Sequence, residues 1–206
     1  MSAPATGTGD FLSRLKDQTR AEHVAIEAVL GLIRSDLTVE SYRHVLERFY
    51  GFYRPVEDAL EVAGGWESSG LNLNERKKVP LLEADLQFLG VECPAQLLVC
   101  RDLPPLDDAA DRYGCLYVLE GATLGGQYIS QHIRQVLGLE PQAGARFFQG
   151  YGEQTGAMWQ AFRTALRQFA ASPALQDRVV ASATATFRAL RLWCQGRDTP
   201  CPTSTL

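Results

Sequence analysis

Residues 113–137, YGCLYVLEGATLGGQYISQHIRQVL, are the most informative stretch of this chain. Helix-forming residues surround a cluster of three glycines, Gly121, Gly125 and Gly126. Each glycine inside a helix costs roughly 1 kcal/mol relative to alanine, so the three together cost about 3 kcal/mol. We therefore expect an offsetting benefit, either close packing against another helix or close approach of a kinked backbone to a flat ligand.

Two other uses of closely spaced glycines are excluded. A GxxxG pair can join helices inside a membrane, but the charges of Asp111, Arg112 and Glu120 do not suit a bilayer. A phosphate-binding loop needs a GK[ST] sequence after a strand, and this segment has neither.

Hydrophobic residues recur with a period near 3.6 along most of the chain, which indicates helices. The pattern predicts helices over about 10–33, 38–63, 75–89, 107–137, 152–170 and 172–193, with a proline-rich connector over 93–106. Pro55 should bend the second helix. The sequence therefore predicts an all-α fold, with a single helical domain over residues 11–196 and flexible tails at residues 1–10 and 197–206.

The composition favours a cytoplasmic protein with one hydrophobic core. The chain has 206 residues, 46% of them hydrophobic, and its net charge of −4 gives no basic field for nucleic acid. It has no apolar run of about 18 residues that would span a membrane, and its N-terminus lacks the regions of a signal peptide. Five cysteines without a CxxC pair favour reduced thiols over a zinc site or a disulfide framework.

The first helix carries a candidate metal ligand. Lys16, Arg20, His23 and Glu27 follow one another at spacings of four, three and four, which places them along one helix face. A neutral imidazole can bind a metal through one nitrogen while the other faces a carboxylate, and the two cations can meet anionic arms of the same ligand. The alternative is an ordinary solvated face with charge pairs.

Three patches of this sequence resemble the haem oxygenase family. Leu15-Lys16-x-x-Thr19-x-x-x-His23-x-x-x-Glu27 resembles the first helix of that family, and Gly121-x-x-x-Gly125-Gly126-Gln127 is similar to its glycine-rich distal helix. Near the end, the resemblance continues through Phe162-Arg163 and Ser172-Pro173-Ala174-x-x-x-Arg178-Val179. The patches occur in family order and span roughly residues 11–195.

The resemblance implies a role for each matching residue. Haem would lie between the first helix and a kinked distal helix, with His23 as the iron ligand and Glu27 near its other ring nitrogen. Lys16 and Arg163 would face the haem propionates, and Phe187 would lie on the pocket wall. Gly121, Gly125 and Gly126 would cover the distal face. Helical geometry alone adds Arg20 as a further propionate partner.

The implied reaction is the oxidative opening of haem to biliverdin, with release of iron and CO. It consumes O2 and electrons, and the sequence has no flavin, nicotinamide or iron–sulfur motif. An external ferredoxin or NAD(P)H-dependent reductase is therefore expected as a partner. Residues 117–126 look closer to bacterial members of the family, including those that supply bilin to bacterial phytochromes, so a bacteriophytochrome is an expected bilin acceptor.

Some positions depart from the family pattern and leave alternatives open. Ala122 stands where many members have an aspartate that organises water, Leu116 where many have a tyrosine, and Trp159 where many have a lysine. One alternative is a haem carrier or sensor that has lost catalysis. Another is a related helical enzyme that acts on a small metabolite, with Cys115 as the nucleophile.

Overall fold

The computed structural model describes residues 10–66 and 69–196. In these residues the chain forms seven α-helices: α1 Phe11–Leu30, α2 Val39–Ala63, α3 Val79–Phe88, α4 Ala109–Leu137, α5 Arg146–Gln149, α6 Thr155–Phe169 and α7 Pro173–Cys194. Short 3-10 helices occupy Leu73–Arg76, Pro94–Gln96 and Gly152–Gln154. The predicted all-α fold is confirmed. The predicted tails lie outside the described residues, except for Asp10.

Local signals explain most helix ends. Thr38 caps α2, since its hydroxyl accepts a hydrogen bond from the Ser41 N–H at 3.1 Å, and Asp108 caps α4 in the same manner. The first helix ends at Leu30 rather than at residue 33, because Gly31 adopts a left-handed conformation with φ of 59°. The third helix starts at Val79 rather than residue 75, because Lys77 is extended between it and a 3-10 turn.

Helices α1, α4 and α7 run in the same direction. Arg14 and Glu22 on α1 form ion pairs with Asp177 and Arg191 on α7, at 2.9 and 3.0 Å. The residue numbers rise together along both helices, so the two are parallel. On α4, Asp108 pairs with Arg178, and the Asp111 carbonyl accepts a hydrogen bond from Ser182 at 2.6 Å, so α4 is also parallel to α7.

Close approach of α4 to α7 depends on Gly114. A Cβ at this position would lie 2.6 Å from both the Ser182 side chain and the Val179 carbonyl oxygen. The two backbones therefore meet only because residue 114 has no side chain. Helix α7 packs extensively against both α1 and α4 and forms the common support of these two helices.

Helix α6 runs antiparallel to α4. The rings of Tyr113 and Phe169 stack with centroids 4.5 Å apart, and those of Tyr117 and Trp159 lie 5.9 Å apart. Residue numbers therefore fall along α6 as they rise along α4. No helix within residues 10–66 and 69–196 is both long and apolar enough to cross a lipid bilayer.

The single-turn helix α5 was not predicted, and it packs beneath α4. Its first two N–H groups, those of Arg146 and Phe147, donate to the buried Asp85 carboxylate at 2.8 and 2.7 Å. Burial raises the pKa of Asp85, while these two hydrogen bonds oppose that rise. A residue on α3 therefore fixes α5 in place.

Candidate functional site

His23 is accessible on α1. Its side chain is 52% exposed, and its Nε2 lies 3.6 Å from a Glu27 carboxylate oxygen. That separation is too long for a hydrogen bond. The edge of the imidazole meets the ring of Phe187 on α7, with centroids 5.5 Å apart and planes at 66°. The imidazole is therefore supported from behind and has nitrogens available to a ligand.

Side chains of α1 and α4 lie close together one turn before the candidate residues. Burial raises the pKa of Tyr117 while nearby Thr19 opposes that rise, so these two side chains are neighbours, and the Thr19 hydroxyl donates to the Leu15 carbonyl at 2.8 Å. Thr19 is one turn before His23, and Tyr117 is one turn before Gly121. Because α1 and α4 run in the same direction, His23 and Gly121 come at the same level of the bundle.

The three clustered glycines of α4, Gly121, Gly125 and Gly126, have two different environments. A Cβ at Gly121 or Gly125 would meet no atom within 4 Å, whereas a Cβ at Gly126 would lie 2.5 Å from the carbonyl oxygen of Phe148. Gly121 and Gly125 share one helix face, since they are four residues apart. Gly126 is buried on another side of α4, where it serves close packing. For this glycine the structure supports the packing alternative rather than a place on an open face.

The candidate cations lie along the first half of α1 and beside it on α6. Lys16 and Arg20 are exposed, and Arg163 on α6 is partly exposed. Arg167 pairs with Asp10 at 3.0 Å, and this hydrogen bond, supported by the charges of Arg167 and Arg163, lowers the pKa of Asp10. Because α6 runs antiparallel to α1, Arg163 lies one turn further toward Lys16.

The structure shows the surroundings of the three residues that depart from the family pattern, Leu116, Ala122 and Trp159. Leu116 is buried in the core, and Ala122 is exposed on α4. Trp159 packs between Tyr117 and Phe162, with the Trp159 and Phe162 rings stacked at 5.6 Å. An aromatic contact therefore replaces a cation at residue 159.

A buried charge cluster directly beside Gly121 was missed by sequence reasoning. The carboxylate of Glu120 accepts hydrogen bonds from Arg76 and from the Tyr151 hydroxyl, both at 2.6 Å. The ammonium of Lys78 lies 3.8 Å from the same carboxylate and also bonds to Tyr151. A signal existed for one member, because Glu120 directly follows the apolar run Leu116–Leu119 inside a predicted helix.

Burial shifts the pKa values around this cluster. It lowers the pKa of Lys78 to about 8 and raises that of Tyr151 above its ordinary value. Nearby, burial raises the pKa of Glu57 to about 7, although its carboxylate accepts the backbone N–H groups of Lys78 and Val79 at 2.6 and 3.3 Å. Desolvation therefore outweighs these hydrogen bonds at Glu57.

The Cys115 thiol is poorly suited to act as a nucleophile. It is fully buried, and burial raises the pKa of this thiol to about 12, although nearby Thr186 opposes that rise. A thiol of this kind stays protonated at neutral pH and does not reach solvent. The geometry therefore counts against the small-metabolite enzyme that uses Cys115.

Comparisons with known proteins agree with the all-α fold. The chain matches the family model "Heme oxygenase" over residues 9–195. It is 32% identical over 164 residues to a haem oxygenase of Xanthomonas campestris pv. campestris, an alignment that covers 76% of this chain and 90% of that protein.

Two solved structures share the fold. A haem oxygenase from Neisseria meningitidis has a TM-score of 0.77 at 20% identity, with 94% of each chain covered. One from Leptospira interrogans has a TM-score of 0.74 at 19% identity, with 91% of this chain and 100% of that chain covered.

Proposed function

Since this chain belongs to the haem oxygenase family and degrades haem to biliverdin, we propose that it holds haem between α1 and α4, with the iron bound by His23. One observation carries this proposal. Thr19 on α1 and Tyr117 on α4 are neighbours, and α1 and α4 run parallel, so His23 lies level with the open, side-chain-free face at Gly121 and Gly125.

The residues at this site suit haem. An exposed imidazole is a common iron ligand, and the two glycines leave room where any other residue would carry a Cβ. The exposed cations Lys16 and Arg20 match the two carboxylates of haem, and Arg163 lies toward the same end. Bound haem supplies the redox chemistry of its own ring opening, and the protein supplies binding and orientation.

His23 would hold the haem iron, and its neighbours restrict how its imidazole is oriented. Phe187 limits rotation of the imidazole from one side through its edge contact at 5.5 Å. Glu27 lies at hydrogen-bonding reach after a small side-chain movement, so it accepts the N–H of whichever imidazole nitrogen is not bound to iron. This pairing would orient the imidazole and strengthen it as a ligand.

The backbone at Gly121 and Gly125 would lie over the opposite face of the ring. Because these residues have no side chains, the helix could come close to a bound ring and limit the space that O2 can occupy there. Lys16, Arg20 and Arg163 hold the propionates and so fix ring rotation, which selects the meso carbon that is oxidised. With Ala122 in place of an aspartate, residue 122 offers no carboxylate that would hold a proton near the reacting oxygen.

The reaction also needs partners. We propose an external electron donor, a ferredoxin or an NAD(P)H-dependent reductase, and a cytoplasmic location for this exchange. The similarity of residues 117–126 to bacterial members that serve phytochromes supports a bacteriophytochrome as the acceptor of biliverdin.

An optical titration with hemin followed by product analysis tests this function. The protein should develop a Soret band, and ascorbate or a reductase should convert bound haem to biliverdin with release of iron. His23→Ala should lose the spectrum of histidine-bound haem, whereas His44→Ala, which alters a 63% exposed side chain on α2, should retain it. An unchanged spectrum in His23→Ala would overturn the assigned ligand, and stable haem without bilin would favour a carrier or sensor.

A further inference from the structure

The glycine-rich part of α4 has little to hold it on its open side. A Cβ at Gly121 or Gly125 would meet nothing within 4 Å, and the neighbouring Ala122 and Leu124 are exposed. Three residues of the same stretch, Glu120, Thr123 and Gly126, are buried. The contacts of these three buried residues therefore determine where the glycine-rich part of α4 lies relative to the other helices.

All three buried residues contact one short segment, Phe148–Tyr151, which we call the strap. The Glu120 carboxylate accepts a hydrogen bond from the Tyr151 hydroxyl at 2.6 Å. The methyl group of Thr123 lies directly against Gly150, and Gly126 lies against the Phe148 carbonyl. Residue numbers on the strap fall as those on α4 rise. The strap therefore runs antiparallel along the back of α4 for nearly two turns.

The bond between Tyr151 and Glu120 is the polar anchor of this contact. The side chains of Glu120 and Arg76 are only 2% and 4% exposed, and their ion pair measures 2.6 Å. Arg76 also donates to the Met158 carbonyl at 3.2 Å, which ties the same anchor to α6. A buried pair with all these bonds resists displacement, because removing one partner leaves an unpaired charge in the core.

We propose that Glu120 and Tyr151 are positioning residues for haem, and that they fix how closely the backbone at Gly121 and Gly125 approaches the ring. Neither side chain touches the ring in this assignment. They act through the backbone of α4, since Glu120 immediately precedes Gly121 in the chain. The inference rests on the proposed placement of haem beneath this stretch.

The decisive variant is Tyr151→Phe, which keeps the aromatic ring and removes only the hydroxyl. The matched control is Tyr50→Phe. It also removes a hydroxyl from a buried tyrosine that lies near a carboxylate, Glu83 at 3.4 Å, but this tyrosine belongs to α2. A second variant, Thr123→Ser, removes the methyl group that meets Gly150 and leaves the hydroxyl bond to Leu119 in place.

Hydrogen–deuterium exchange of the haem-free protein measures the anchor without any reaction. In Tyr151→Phe, amides within residues 117–128 should exchange about tenfold faster, the factor expected for loss of roughly 1.4 kcal/mol in a hydrogen bond to a charged group. Thr123→Ser should show a smaller change in the same peptides, and Tyr50→Phe none. Haem transfer to apomyoglobin should accelerate by a similar factor in Tyr151→Phe, and the biliverdin isomers should become more mixed.

Two results would overturn the inference in distinguishable ways. If peptides 117–128 exchange alike in Tyr151→Phe and Tyr50→Phe, the strap does not hold α4, and the proposed haem site is unaffected. If exchange accelerates but haem transfer and isomer ratio stay unchanged, the stretch is held by the strap but does not cover haem. That second result overturns the proposed site together with the inference.

Discussion

Gly125 and Gly126 are adjacent in sequence, yet alanine should have opposite effects at the two positions. Neither has a positive φ, so alanine is conformationally acceptable at both. Both variants gain the same helix propensity, roughly 1 kcal/mol. At Gly125 the new methyl group meets nothing, so Gly125→Ala should stabilise the haem-free protein. For a chain of this length, 1 kcal/mol corresponds to a rise in Tm of about 2–4 °C.

At Gly126 the new methyl group lies 2.5 Å from the Phe148 carbonyl oxygen. This atom belongs to the backbone of α5, so it moves only if the helix moves. Overpacking of this kind costs about 1–3 kcal/mol. Because the propensity gain is common to both variants, Gly125→Ala should be more stable than Gly126→Ala by that same roughly 1–3 kcal/mol, a gap of several degrees in Tm.

The hemin affinity of Gly125→Ala should not follow the stability of its haem-free form. The methyl group of Gly125→Ala projects from the face assigned to haem, so hemin should bind more weakly although the haem-free protein is more stable. Thermal unfolding followed by circular dichroism and optical titration with hemin measure the two effects separately. Equal losses of Tm in both variants would refute the open face, and wild-type hemin affinity in Gly125→Ala would refute its assignment to haem.

The remaining predictions concern pH, ring orientation and oxygen chemistry. Burial raises the pKa of Glu57 from an ordinary 4.5 to about 7. Between these two pH values the folded protein keeps a proton on Glu57 that the unfolded chain loses. The free energy of unfolding should therefore fall by up to roughly 3 kcal/mol as the pH rises from 4.5 to 7. Glu57→Gln should abolish this fall in urea titrations across that range; an unchanged slope would contradict the burial argument. Lys16→Ala and Arg163→Ala should alter the biliverdin isomer ratio, read by chromatography, while the iron spectrum stays the same. Ala122→Asp, at an exposed site, should change unfolding by no more than about 0.5 kcal/mol and alter the rate of biliverdin formation rather than hemin affinity.

The sequence predicted those parts of the fold that depend on local patterns. Six helices follow from hydrophobic periodicity, and the face that carries His23 and Glu27 follows from helical spacing alone. Gly31 could have marked the end of α1, but the hydrophobic periodicity continues past it and made the predicted helix too long. Helix α5 has only one turn, and its first N–H groups are hydrogen-bonded to Asp85. This residue lies 61 positions before Arg146 in the chain. No local pattern encodes such a helix.

The candidate site also has one part that local sequence predicts and one part that it does not. The cations and imidazole of α1 could be grouped from sequence because a helix fixes their spacing. The anchor of Glu120 could not, since Arg76 and Tyr151 lie 44 and 31 residues away in sequence. Gly126 resembled its neighbours in sequence, and only the position of Phe148 separates its packing role from the open face of Gly125.

These environments show how the cost of the glycines is met. Gly126 offsets its roughly 1 kcal/mol through tight contact with α5, and Gly114 does so through α7. Gly121 and Gly125 gain no such contact in the haem-free chain, so about 2 kcal/mol remains uncompensated there. A ligand that binds only the folded state supplies the missing stabilisation through mass action. Hemin should therefore raise the Tm of the wild type more than that of Gly125→Ala, because the variant starts more stable and binds less tightly. An equal rise in both proteins would mean that these glycines are kept for a reason other than haem.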